Sequence, residues 1–241
     1  MSDSQKKCTC YFSVFSRTFG ICKCSANGGS ENSPTSHEEA ILGATIHPTV
    51  EAITTKKPNP PPLFMFIFSM PLNGQQFDPL DEAKIIKDTI SSNKKCIRFE
   101  QLWGNFTNID RHLEEKAPLI LHFTGHGDNG SIVFESDVSA PSVLTKDAFT
   151  TLMNSKSTSS IELAFVASCS SEVVGHAFVE AGVKHVIASC GKVSDGVAGN
   201  FVKYFYQELF KGESIEVSFK KAGKLIEFVL FMQYLYLFNV C

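Results

Sequence analysis

The sequence predicts an α/β fold built on a mostly parallel sheet with helices on both faces. Three observations carry that reading. Short strand-like runs alternate with amphipathic helical stretches from Leu63 onward. The runs are continuously apolar, as in strands covered on both faces, rather than apolar and polar in turn. No internal repeat is visible, which argues against a solenoid. At 241 residues, with 43% hydrophobic and 20% charged, the chain is long enough for one domain with a sizeable core, plus tails.

Residues 1–62 read as an irregular, cysteine-containing, Pro/Gly/Ser-rich arm that ends in the stiff linker Lys56-Lys57-Pro58-Asn59-Pro60-Pro61-Pro62, with a further edge strand over 41–55 as an option. The texture then changes. Leu63–Phe68 is a buried strand, and Asp78–Asn93 a helix with Ala83, Ile85, Ile86 and Ile90 on one face. Asp81 and Glu82 stand in its first turn, where acidic groups complement the helix dipole. Cys96–Leu102 is the next strand. A helix capped by Asn105 or Thr107 runs to Glu115, and the strand after it ends at His126. Asp128-Asn129-Gly130 is a turn and Ser131–Phe134 a short excursion strand. Thr145 caps a helix to Asn154, and residues 161–167 form the strand that ends at Cys169. A helix over 171–181, a strand over Lys184–Ser189 and helices from Asp195 to Phe210 and from Ser214 complete the series. Right-handed crossovers follow from such alternation.

Composition excludes several function classes. The net charge is −3 and no long Lys/Arg run occurs, so no nucleic-acid partner is expected. The N-terminus lacks the apolar core of a secretory signal, which points to a cytoplasmic protein whose eight cysteines are thiols. The apolar stretch from Phe228 to Val240 is shorter than the ~20 residues of a membrane-spanning helix. Residues 225–241 therefore read as an apolar, aromatic tail that is buried or used in interaction, with membrane contact as the minority option.

The chemistry sits at two strand ends. If both strands lie parallel in one sheet, His126 and Cys169 emerge together at its carboxyl edge, where open α/β folds place their sites. A thiol with an ordinary pKa of ~8.5 is mostly protonated at neutral pH, so a nucleophilic cysteine needs a base or a helix N-terminus nearby. Cys169 precedes Ser170-Ser171-Glu172, a helix start, and His126 can take its proton. Gly125 and Gly127 flank the histidine without side chains, which leaves room for substrate backbone. The N–H groups of Gly127 and Cys169 are the candidate oxyanion hole. Either residue alone is more often packing or turn chemistry; the pair, each ending an apolar strand, reverses those odds.

The segments Leu121-His122-Phe123-Thr124-Gly125-His126-Gly127 and Val166-Ala167-Ser168-Cys169 resemble the His-Gly and Cys signatures of caspase-like cysteine peptidases. Gly182-Val183-Lys184-His185-Val186-Ile187-Ala188 and Val193-Ser194-Asp195, with Phe201, Phe205-Tyr206, Leu209, Gly212 and Ser214, extend the likeness. Over about Leu119–Gly223, and more weakly back to Leu63, the chain is most similar to the CHAT domain. The resemblance implies a three-layer caspase-like fold over 63–224 and cleavage of protein or peptide substrates. It implies Cys169 as nucleophile, His126 as its partner, no cofactor, and a regulatory protein partner as an option. By similarity to separase-like members, Asp195 lines a pocket for a basic side chain before the scissile bond, although Ser194-Asp195 is also a good helix cap.

Other residues are read more plainly. Cys190 is a rival nucleophile by position but has the poorer helix-start context, and His122 is a packed, satisfied histidine. Cys8, Cys10, Cys22 and Cys24 invite a zinc reading, yet Cys-x-Cys is tighter than the usual spacing, so no metal site is assigned and they read as solvated tail cysteines. A catalytically inactive CHAT module serving as an interaction platform is the competing function. A flavodoxin-like ligand binder ranks last, since no Gly-rich phosphate loop follows the first strand.

Overall fold

The computed structural model describes residues 8–11, 19–24, 60–70, 78–128, 131–136, 140–154, 160–189 and 191–238, with side chains described only between 60 and 227. In chain order the elements are β1 Cys8–Tyr11, β2 Phe19–Cys24, β3 Leu63–Phe68, α1 Pro79–Ser92, β4 Arg98–Trp103, α2 Phe106–Glu115, β5 Ile120–Thr124 and β6 Gly127–Asp128. There follow β7 Ser131–Glu135, β8 Pro141–Leu144, α3 Lys146–Asn154, β9 Leu163–Ala167, α4 Glu172–Glu180, β10 His185–Ser189, α5 Asp195–Lys211 and α6 Ile215–Phe238.

Local chemistry sets the helix ends. Asp78 caps α1, its carboxylate accepting from the Leu80 N–H at 2.9 Å, with Pro79 at the first helical position where its missing N–H costs nothing. Asn105, not Thr107, caps α2, accepting from the Asn108 N–H at 2.7 Å. Gly212 ends α5 at φ 110°, a left-handed conformation that favours glycine.

The main sheet has seven strands in the order β1-β2-β10-β9-β5-β3-β4. The five from β10 to β4 are parallel, and β2 joins the β10 edge antiparallel with β1 outside it. Helices α2, α3 and α4 cover one face, while α1, α5 and α6 cover the other. The result is a three-layer caspase-like fold.

Period-two alternation sorts the two cores. In β3, Leu63, Met65 and Ile67 turn to an aliphatic layer, and Phe64, Phe66 and Phe68 turn to an aromatic one. The same parity runs through β5 and β9, where Phe165, fully buried, meets Phe201, Phe205 and Tyr206 of α5. Burying one such side chain stabilises the fold by about 1.5–3 kcal/mol.

Two expectations change, and a third is untested. The N-terminal arm is not irregular throughout: β1 and β2 pair in the register Cys8↔Cys24 and Cys10↔Cys22, so the four cysteines read as solvated tail residues stand in strands. The suggested strand over 41–55 lies outside the described residues. The segment after Lys224 continues α6 rather than forming a separate tail. Among the described residues no helix is long and apolar enough to cross a membrane. The excursion strand also belongs to something larger, a second sheet in the order β6-β7-β8 that begins immediately after His126.

Candidate active site

Strands β5 and β9 are parallel neighbours paired from Ile120↔Leu163 to Thr124↔Ala167. His126 and Cys169 each follow two residues after that last pair, at the carboxyl edge of the sheet, and the two segments come together there where Gly127 meets the Cys169 carbonyl. Both are half-buried, and both line one cleft of about 650 Å³.

The strand-to-helix turn that carries the cysteine is tightly determined. Ser170 adopts φ 51°, a left-handed conformation that costs a non-glycine residue free energy, and its N–H donates to the Gly191 carbonyl at 3.1 Å. Ser171 stands at the N-cap of α4 without capping it through its side chain. Its buried hydroxyl instead donates to the Val166 carbonyl at 3.1 Å and accepts from the Ser189 N–H at 3.0 Å, tying β9 to β10 beneath the turn. The Cys169 thiol lies 3.9 Å from the Val193 carbonyl, a weak donor contact.

The glycine after the histidine is required by packing. A Cβ on Gly127 would come within 2.2 Å of Ser168 Oγ and 2.5 Å of the Cys169 carbonyl oxygen. The room expected there for substrate is therefore filled by the cysteine turn itself, which makes Gly127 the point where the two motifs touch. The Val133 N–H donates to the His126 carbonyl at 3.0 Å. Hydrogen-bonded and non-bonded pairs alternate along an antiparallel ladder, so the next pair, Gly127 with Ile132, leaves the Gly127 N–H directed away from β7. The last rung between the parallel strands is Gly125 N–H to the Ala167 carbonyl at 3.4 Å, so the Cys169 amide also lies beyond the main ladder.

The β6-β7-β8 sheet is fastened by Glu135, whose buried carboxylate accepts from the Trp103 indole N–H at 2.6 Å and the Met70 N–H at 2.9 Å. This clamp holds the hairpin that follows His126 against the ends of β3 and β4.

A CHAT domain model matches residues 55–224, more than half of the chain. The chain belongs to the CHAT-domain family. The match takes in the whole of the parallel sheet, both strand ends and the helix that carries Asp195, and it begins ahead of Leu63. No curated protein sequence matches the chain.

Within the CHAT domain, His126, Gly127, Cys169 and Asp195 line one cleft. Asp195 is the first residue of α5 and is exposed; Ser194 precedes it without a side-chain cap bond. Cys190 lies outside the described residues. His122 is packed as expected: it has no exposed surface and stacks between Phe66 at 5.2 Å and Phe165 at 4.9 Å. Sequence reasoning missed Asp78, Asp81, Glu82, Lys192 and Ser168, which line the same cleft. The available signal was position: α1 starts after β3, at the sheet edge where the other residues converge.

Proposed function

We propose that this CHAT domain is a cysteine endopeptidase acting on protein or peptide substrates. The observation that carries the reading is the shared cleft, which His126, Gly127 and Cys169 line just beyond the carboxyl ends of the adjacent parallel strands β5 and β9. Cys169 Sγ gives its proton to His126 and attacks the scissile carbonyl carbon. The carbonyl oxygen becomes an oxyanion against the N–H groups of Gly127 and Cys169. As the C–N bond breaks, His126 returns the proton to the amine leaving group. Water, giving a proton to His126, then attacks the thioester and releases the acid and the thiol. Asp195 offers a carboxylate to a basic side chain next to the scissile bond. A reducing compartment keeps a thiol nucleophile in its active form, which fits a cytoplasmic location.

The test is hydrolysis of a mixed fluorogenic peptide set by the full chain. The reading expects turnover that falls at least about 10³-fold in Cys169→Ala. Equal turnover by Cys169→Ala, or none in any peptide by the wild type, overturns it.

A further inference from the structure

The pairing of β1 with β2 gives the cysteines of the N-terminal arm an arrangement that their spacing alone does not reveal. The antiparallel register sets Cys8 opposite Cys24 and Cys10 opposite Cys22. Directly opposed residues share a face of the ribbon, as do residues two apart on one strand, so all four cysteines fall on the same face. The two pairs are also two residues apart, which puts them in the same class of the alternating antiparallel ladder. Their Cα atoms therefore outline a rectangle about 5 Å across the strands and about 6.8 Å along them.

The next strand identifies that face. Cys22 is opposite Val186 and Gly20 opposite Ala188, both of the aliphatic layer, whereas Ile21 is opposite Ile187 of the aromatic layer. Tyr11, Phe19 and Ile21, the large apolar residues of β1 and β2, accordingly fall on the aromatic side with Thr9 and Lys23. The aliphatic side receives the four cysteines and a glycine. Among the described residues β1 is a four-residue edge strand paired with β2 alone. So short an edge has little hydrocarbon of its own to hold it in place.

We propose that Cys8, Cys10, Cys22 and Cys24 form a structural zinc site, four thiolates closing a tetrahedron about one Zn²⁺ that braces β1 against β2. A Zn–S distance of about 2.3 Å sets the sulfurs about 3.8 Å apart. That is less than either edge of the rectangle, so closure asks only that the four side chains converge. The Cys-x-Cys spacing counts against a metal site in a loop, but on an extended strand it is the spacing that returns to one face. Cross-strand disulfides are the competing use of the register, since opposed Cα atoms about 5 Å apart lie within disulfide range. One disulfide would staple the ribbon; a second pair on the same face is surplus to that task and completes a zinc site. Lys6-Lys7 directly precedes Cys8 and Lys23 separates Cys22 from Cys24. Cations so close in sequence favour thiolate and offset the double negative charge of a four-thiolate zinc centre. Each thiol gives up its proton on binding, so the site is lost in acid. The four cysteines precede residues 55–224, where the CHAT match lies, so the site is an addition to that domain and is independent of the peptidase reading.

The test is the zinc content of the full chain, purified under reducing conditions with zinc supplied and the excess removed by gel filtration. About one zinc per chain is expected, falling at least about tenfold when Cys8→Ser, Cys10→Ser, Cys22→Ser and Cys24→Ser are combined and unchanged in Cys169→Ala. A second measurement needs no variant: alkylation of the wild type followed by mass mapping, before and after a chelator. The four arm cysteines should react at least about tenfold faster once zinc is withdrawn, while the exposed Cys96 reacts alike in both states. Absence of zinc, zinc that survives the fourfold substitution, arm-cysteine reactivity indifferent to the chelator, or recovery of the four as disulfides under those reducing conditions overturns the proposal.

Discussion

The two faces of the central sheet are built from the same strands yet do different work. On the aliphatic face, Leu63, Met65, Ile67, Ala164, Val166 and Val186 pack against α2, α3, α4 and the small sheet. The cluster there is aliphatic and phenyl packing. The aromatic face interleaves Phe64, Phe66, Phe165, Phe205 and Tyr206 with one histidine, and that histidine reaches a carboxylate in the cleft. Helices α1 and α5 of that same face line the cleft, through Asp78, Asp81, Glu82 and Ile85 on one side and Asp195, Ala198 and Gly199 on the other. The lesson is that the cleft opens on the aromatic layer, and the other layer supplies the platform.

The sharpest way to break this contrast is to cut into each layer at adjacent residues. Phe165→Ala is expected to cost about 3–5 kcal/mol of stability in urea unfolding, because a large buried ring is lost from the stack on His122. Its neighbour Val166→Ala, on the aliphatic face, is expected to cost about 1.5–2.5 kcal/mol at roughly 0.8 kcal/mol per buried methyl-sized group. Peptide turnover per folded molecule should suffer more in the first. Equal losses of turnover would remove the functional distinction between the faces.

Gly127→Ala tests the contact between the two motifs. The added methyl overlaps Ser168 Oγ and the Cys169 carbonyl, so the loop must move and the Gly127 amide with it. A fall of about 10²-fold in kcat is expected, with KM less affected. Wild-type kcat in this variant would show that the Gly127 amide is not a donor.

The smallest effect concerns the α5/α6 side of the aromatic layer. Lys211 first, and then Lys221, hold the Glu208 carboxyl below its ordinary pKa through hydrogen bonds. A depressed carboxyl contributes stability that is present above its unfolded pKa and lost as the pH falls through the folded value. Glu208→Gln should therefore cost about 0.2–1 kcal/mol at neutral pH and nothing once the carboxyl is protonated in acid. Unfolding curves of both proteins across that range give the comparison.

Much of this was legible in the sequence, and the gaps have physical causes. Apolar runs at 63–68, 120–124 and 163–167 identify the parallel strands, because only strands covered on both sides carry such runs. The strand ends at His126 and Cys169 were equally readable. The register that brings their strands together is a long-range property, and no spacing within either segment encodes it. The β6-β7-β8 sheet escaped notice because β6 is two residues long and β8 opens with a proline. Glu82 was visible as a first-turn acid, and local propensity explained it well enough to hide its bond to His122, forty residues away. The β1–β2 pairing escaped notice because Tyr11, Phe19 and Ile21 are interrupted by serines, a glycine and lysine and form no continuous apolar run like those of the parallel strands.

The central claim is that His126 activates Cys169. The direct measurement is labelling of the full chain with a peptidyl acyloxymethyl ketone, followed by mass mapping of every cysteine, in wild type and in His126→Ala. The account predicts modification confined to Cys169, with a labelling rate reduced about 10²-fold or more by the substitution. Labelling at Cys190 or Cys96 in preference to Cys169, or a Cys169 rate untouched by loss of the histidine, would contradict it.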